Sequence, residues 1–158
     1  MKKEEKESLA ILMAIEALKV LEGFSAKPYK CPAGIKTIGY GHTIKKEEDF
    51  TSITEAKAEI LLKKDLEDLY TQIRPLINDD VYKRLRHEQI SALLSFIYNI
   101  GISAFKKSTL LNKLNNSGNL LLVAEEFKKW VYIKGVKSLG LMRRRDAEKE
   151  LFLSGIKK

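Results

Sequence analysis

The sequence predicts an α+β fold: mainly helical, with a small antiparallel β lobe near 24–52 and a larger helical lobe, joined by a long helix. Three observations predict it. Apolar residues recur at helical spacing through most of the 158 residues. That periodicity fails from Phe24 to Phe50, where Pro28, Pro32, Gly34, Gly39 and Gly41 punctuate short apolar or β-branched pieces. No internal repeat or low-complexity tail interrupts the pattern, and the length suits one compact domain, 1–158.

Residues 6–22 are dense in Leu, Ile, Met and Ala, with Glu16 and Lys19 three apart, and read as a mostly buried helix with a narrow polar stripe. Gly23 is a natural stop for it. Thr54 is a fitting N-cap for a long amphipathic helix to Ile77. Its apolar stripe is Ile60, Leu61, Leu62, Leu66, Leu69, Ile73 and Leu76, and Pro75 weakens or bends its end. After Asn78 the pattern predicts helices near 81–86, 88–99, 103–114, 119–130 and 140–153. Gly101, Gly118, Gly135 and Gly155 mark the breaks, and Ser117-Gly118-Asn119 is a turn. The helical lobe then spans about 80–158 and receives the first helix. A groove between the two lobes is the default binding site.

Composition removes several classes. The longest uninterrupted apolar run is Leu9 to Ile15, far below the roughly 20 residues that span a bilayer. The mixed-sign start MKKEEKES has no secretory pattern. Cys31 has no second cysteine to pair with. Without a Cys/His cluster no metal site is expected, and no cofactor. Net charge is +8, from 29 basic and 21 acidic residues. It gathers at Lys106-Lys107, Lys128-Lys129, Arg143-Arg144-Arg145 and Lys157-Lys158. Such a surface favours a polyanion, whether nucleic acid, anionic membrane or anionic wall polymer, and equally fits a lysine-rich soluble face.

Glu22 stands at the very end of the first helix, against the dipole, with Leu21 and Phe24 beside it. A carboxyl in such surroundings is kept partly protonated, as a general acid must be. The same residue also fits a solvated glutamate at a frayed helix end. The stretch Thr37-Ile38-Gly39-Tyr40-Gly41-His42 reads as a strand. By alternation Thr37, Gly39 and Gly41 share one face and Ile38, Tyr40 and His42 the other. A nearly bare face lets a sugar ring lie against the backbone, with Thr37 holding a water or a hydroxyl; packing glycines in a twisted strand explain it as well.

These residues carry a resemblance. Glu22-Gly23, then Tyr29-Lys30-Cys31-Pro32-Ala33-Gly34, then Thr37 to Thr43 resemble the bacteriophage lysozyme (endolysin) family, glycoside hydrolase family 24. Phe96 to Gly101 with Ser108 to Leu111 resemble its central helix and following turn. Gly140-Leu141, Arg143-Arg144-Arg145 and Glu148 to Phe152 resemble its last helix. The match covers nearly the whole chain in order. It implies a lysozyme-like fold and hydrolysis of the β-1,4 bond between N-acetylmuramic acid and N-acetylglucosamine in peptidoglycan. The resemblance makes Glu22 the catalytic acid and Thr37, fifteen residues on, the catalytic-face threonine. Many members carry an Asp nine residues after the Glu; here Cys31 stands there.

Glycosidases ordinarily use two carboxylates, about 5 Å apart for retention and about 6.5–9.5 Å for inversion. A neutral thiol stabilises an oxocarbenium ion poorly. Cys31 then acts as a thiolate, or only shapes the pocket while Glu22 and a Thr37-bound water work, or yields the role to Glu47 or Asp49. The resemblance also implies a supporting His42–Asp65 pair, Asp65 lying eleven residues after Thr54, and an Arg144 that approaches Glu22, with Arg143 and Arg145 as competitors. Gly39 and Gly41 would meet substrate. Asn99 either binds an acetamido group or caps a helix. Trp130, three residues after Phe127, reads as core rather than a sugar platform.

Two other classes stand beside the muramidase: a non-catalytic peptidoglycan-binding relative, and a basic nucleic-acid-binding helical protein. The last leaves Glu22-Gly23 and the glycine strand without a purpose and has no dense basic recognition helix. The resemblance implies peptidoglycan as partner, no nucleic acid and no stable membrane insertion. It further implies a phage or prophage protein made in the host cytoplasm, which reaches the cell wall after a separate holin-like partner permeabilises the membrane; one small domain with no obvious coiled coil suggests a monomer.

Overall fold

The computed structural model describes residues 1–156; the basic pair Lys157-Lys158 lies outside them. Helix α1 spans Lys3–Glu22 and ends on Gly23, whose φ of 70° is left-handed and breaks the helix there. Ala10, Ile11, Ala14, Ile15 and Leu18 form its buried face. The expectation of a mostly buried helix was too broad: Leu9, Leu12 and Val20 are exposed, so only one stripe meets the core.

The chain then forms a three-stranded antiparallel sheet in the order β1 (Ser25–Lys30), β2 (Lys36–Gly39), β3 (His42–Thr43). The expected single strand through His42 folds back on itself instead. Gly39 and Gly41, at φ of 67° and 83°, flank Tyr40 in a tight turn, which sets Ile38 opposite His42 and Thr37 opposite Thr43. Both Ile38 and His42 are buried. Sheet β2 and β3 pack on α2 (Glu55–Ile73). A Cβ on Gly39 would stand 3.0 Å from the Ala58 Cβ of α2 and 3.3 Å from Ile53, so Gly39 lets strand and helix close up.

Thr54 caps α2 through its hydroxyl, which accepts the Lys57 N–H at 3.1 Å. The helix ends at Ile73 rather than Ile77, because Pro75 turns Arg74–Leu76 into a 3₁₀ turn. Short α3 (Asp79–Arg84) leads to α4 (His87–Ile100), the axis of the helical lobe. Every residue from Glu88 to Ile97 is buried, and α4 packs chiefly on α1 and on α8 (Leu139–Ile156).

Between α4 and α8 the structure departs from the periodic reading. The expected helix 103–114 is two, α5 (Ile102–Lys106) and α6 (Thr109–Asn116). The Ser108 hydroxyl donates to Phe105 O at 2.7 Å and accepts the Leu111 N–H at 3.1 Å, ending one helix and opening the next. The expected helix 119–130 is α7 (Leu120–Glu126) with a 3₁₀ turn, Phe127–Lys129. A hairpin follows, β4 (Tyr132–Ile133) and β5 (Val136–Lys137), turning through Lys134 and Gly135 with both φ positive. Trp130 packs edge-on to Phe96 at 5.7 Å, as a core aromatic.

One close approach fixes how α8 sits on α4. A Cβ on Gly155 would lie 2.6 Å from Gln89 Nε2. The buried Gln89 side chain cannot swing away: it accepts the Arg86 N–H at 2.7 Å and donates to Phe152 O at 3.3 Å. Gly155→Ala should therefore cost about 1–3 kcal/mol, read as a lowered urea midpoint at unchanged slope; an unchanged midpoint would refute this reason for the glycine.

Candidate active site

The site is built where α1 ends. Glu22 is the last residue of α1, and its side chain is about one-fifth exposed. Its Oε1 accepts a hydrogen bond from Arg144 Nη1 of α8 at 2.6 Å. The same guanidinium donates from Nη2 to Ser95 O of α4 at 2.9 Å and from Nε to Glu148 Oε2 at 3.2 Å. Ser95 Oγ in turn donates to Glu148 Oε2 at 2.6 Å. Arg144 and Glu148 are both buried, and Glu148 also binds Arg145. Of the three candidate arginines, Arg144 is the one at Glu22. Arg145 turns to Trp130 O at 2.9 Å and to Asn99 Oδ1.

The opposite side of the Glu22 carboxyl faces the β turn. A Cβ on Gly41 would stand 3.2 Å from Glu22 Oε2 and 3.3 Å from the Tyr98 ring and hydroxyl. Tyr98, from α4, donates to Tyr40 O at 2.9 Å. Burial, together with the nearby Asp65 and Glu22, raises its pKa, so it keeps that proton and pins the turn. Gly41 therefore borders the carboxyl, whereas Gly39 lies against Ala58.

Thr37 and Cys31 sit together on the adjoining strand and loop. Thr37 is buried, and its hydroxyl donates to Ile35 O at 3.0 Å. The loop after β1 closes through Cys31 N to Ile35 O at 3.0 Å and Gly34 N to Cys31 O at 2.8 Å. The partly exposed Cys31 thiol is drawn below the usual thiol range by the Ile35 amide first, against burial, and then by the Ala33 amide and the Thr37 hydroxyl. Tyr29 lies within the fields of both Glu22 and Cys31; burial first, then these two groups, raise its pKa. Thus the charges of Glu22 and Cys31 both reach Tyr29, which stands opposite Thr37 in the sheet. Glu47 and Asp49 remain exposed in the loop after β3.

His42 is buried on the far face of the turn. Its Nδ1 lies 2.7 Å from Asp65 Oδ2 and its Nε2 2.9 Å from Glu48 Oε1. Glu48 also accepts the Lys45 N–H at 2.8 Å. Asn99 is exposed at the end of α4, and its Oδ1 accepts from Arg145.

Sequence reasoning missed Glu48, Tyr98, Ser95 and Glu148. Glu148, four residues after Arg144, carried a readable signal as a helical ion pair. Ser95 and Tyr98, set by the packing of α4, carried none. Among the described residues, no group of three or more His, Cys, Asp and Glu could hold a metal ion. Among the same residues, no helix is long and apolar enough to cross a membrane.

The His42 environment gives a pH dependence. Asp65 raises its pKa, against burial, and Glu48 adds to the rise. A group with a raised folded pKa contributes stability that is complete below the unfolded value, about 6.5, and is lost as pH rises through the folded value. The imidazole of His42 should titrate above an unfolded-chain histidine by NMR. His42→Gln should lose more stability at pH 6 than at pH 9. Titration at or below the ordinary value would contradict the assignment.

Comparison with known proteins shows the family. The phage lysozyme family pattern matches residues 19–148. A SAR-endolysin of Bacteriophage PS119 is 40% identical over 135 residues, 85% of this chain and 78% of that protein. The muramidase domain of SpmX from Asticaccaulis excentricus superposes with a TM-score of 0.77 at 33% identity, covering 89% of this chain and 94% of that one. P22 lysozyme superposes at 0.73 with 36% identity, covering 89% and 94%. The stretch from Lys19 to Glu148 holds every residue assembled around Glu22, and the chain belongs to the phage lysozyme family.

Proposed function

We propose that the chain is a peptidoglycan muramidase of endolysin type, cleaving the β-1,4 bond between N-acetylmuramic acid and N-acetylglucosamine. One observation carries this: the Glu22 carboxyl is fixed by a buried Arg144 on one oxygen and left open beside Gly41 on the other. In this reading protonated Glu22 gives its proton to the glycosidic oxygen as the C1–O bond breaks. Water adds its hydroxyl to C1, and its remaining proton restores Glu22 directly or through Cys31. Thr37 holds that water. Its oxygen offers lone pairs to that water, whichever of Ile35 O and the Cys31 sulfur takes its one proton.

Cys31 supplies what the second carboxylate would. The hydrogen-bond donors around its sulfur favour a thiolate, which bears the negative charge that an oxocarbenium-like transition state needs. This supports the thiolate reading over a thiol that only shapes the pocket. Gly41 gives the sugar backbone-level access, and Asn99 offers its amide to an acetamido carbonyl. Gly39 has no substrate role here, since α2 fills its side.

The protein's partner is peptidoglycan and its place of action the cell wall. It works as a monomer, needs no cofactor and binds no nucleic acid in its function. It is made in the host cytoplasm and gains access through a separate membrane-permeabilising, holin-like protein.

The test counts new reducing ends from purified peptidoglycan. The parent should release them, Glu22→Gln should lose activity by at least about a thousandfold, and Cys31→Asp should retain far more than Cys31→Ser. No release by a parent that still sediments with the wall would contradict hydrolysis. Equal activity of Cys31→Ser and the parent would remove the thiolate.

A further inference from the structure

A second basic site lies at the other end of α1. From Lys6 to Glu22 the helix runs about 24 Å, so this region is separate from the candidate active site. Two adjoining openings there, about 470 and 390 Å³, share Met1, Lys6 and Lys83. Lys3 and Arg74 border the first, Arg86 and His87 the second.

Lys6 is not a loose surface lysine. Its Nζ donates to Tyr82 O at 2.9 Å and to Leu85 O at 3.0 Å, and stands 4.2 Å from the centre of the Tyr82 ring. Arg74 packs on the same ring at 3.9 Å. An ammonium has three donors, so one N–H of Lys6 remains unspent. Burial and then the Arg74 charge lower the Lys6 pKa, which marks a cation with too little negative charge beside it. Two of the local carboxylates are engaged, and a third, Glu7, is near enough for its charge to act on Tyr82. Asp79 binds Arg74 at 2.8 Å, and buried Glu88 faces His87 and Arg86. Among the described residues, Lys3, Lys6 and Lys83 have no carboxylate in ion-pair range.

We propose that this groove binds successive phosphodiester groups of an anionic wall polymer of the poly(glycerol phosphate) kind. The inference rests on the reading of the protein as a wall hydrolase. Two openings sharing a fixed cation suit a ligand that repeats its charge, rather than one isolated ion. A preorganised ammonium binds at little ordering cost. Held there, the polymer would anchor the enzyme while the cleft, at the opposite end of α1, stays free for glycan.

The experiment measures binding of soluble poly(glycerol phosphate) to the parent and to Lys6→Met/Lys83→Gln, alone and combined. Vesicles of phosphatidylglycerol in phosphatidylcholine are run in parallel. Two lysines at an anionic surface predict about a thirtyfold loss of polymer affinity in the double variant. Release of reducing ends from polymer-stripped peptidoglycan should be unchanged. Lys83 is exposed, so a partial loss in Lys83→Gln alone is not a folding effect. Equal polymer binding by parent and double variant would overturn the site, as would binding to vesicles without binding to polymer. Failure of the parent to release reducing ends would instead overturn the hydrolase reading, and is scored separately.

Discussion

The contact on which the site depends is the buried guanidinium of Arg144. It joins the end of α1 through Glu22, the middle of α4 through Ser95 O, and α8 through Glu148. Three helices that pack by apolar faces alone would not fix the direction of the Glu22 carboxyl. Breaking a buried pair costs about 3–5 kcal/mol, because the remaining charge is stranded. Exposed pairs such as Lys19–Glu59 are screened by water and contribute little. The buried network therefore decides where Glu22 points, and the surface pairs do not.

The other half of the site is set by absence of side chains. Gly41 turns the chain at positive φ beside Glu22 Oε2, and any Cβ there would occupy the space between carboxyl and strand. Tyr98 and the pair of carboxylates around His42 hold this turn from opposite sides. The β turn is thus fastened to α4 and to α2 independently, and the Cys31–Thr37 loop hangs from the same strand. The candidate site is the place where these two supports meet at one carboxyl.

The parts of this arrangement that were legible from sequence are those governed by local rules. Gly23 announced the helix end that exposes Glu22, and Thr54 announced α2. The loss of helical period marked the sheet, though alternation alone made one strand of what is a turn between two. The glycines that bend it were visible, but their positive φ is imposed by packing on α2 and α4. Apolar periodicity ran through Ser108 unchanged, so a cap contributed by one hydroxyl was hidden there. The 132–137 hairpin has only two residues per strand, too few for a periodic signal. Arg144 could be preferred over its neighbours only by resemblance, since all three arginines share one short run and only tertiary packing separates them.

Mass analysis of the soluble products from digested peptidoglycan tests most directly whether the fixed carboxyl at the end of α1 makes this chain a muramidase. The expected result is fragments ending in a reducing N-acetylmuramic acid with water added at C1. Fragments ending in reducing N-acetylglucosamine, in a dehydrated muramic acid, or in cleaved peptide stems with intact glycan would contradict it.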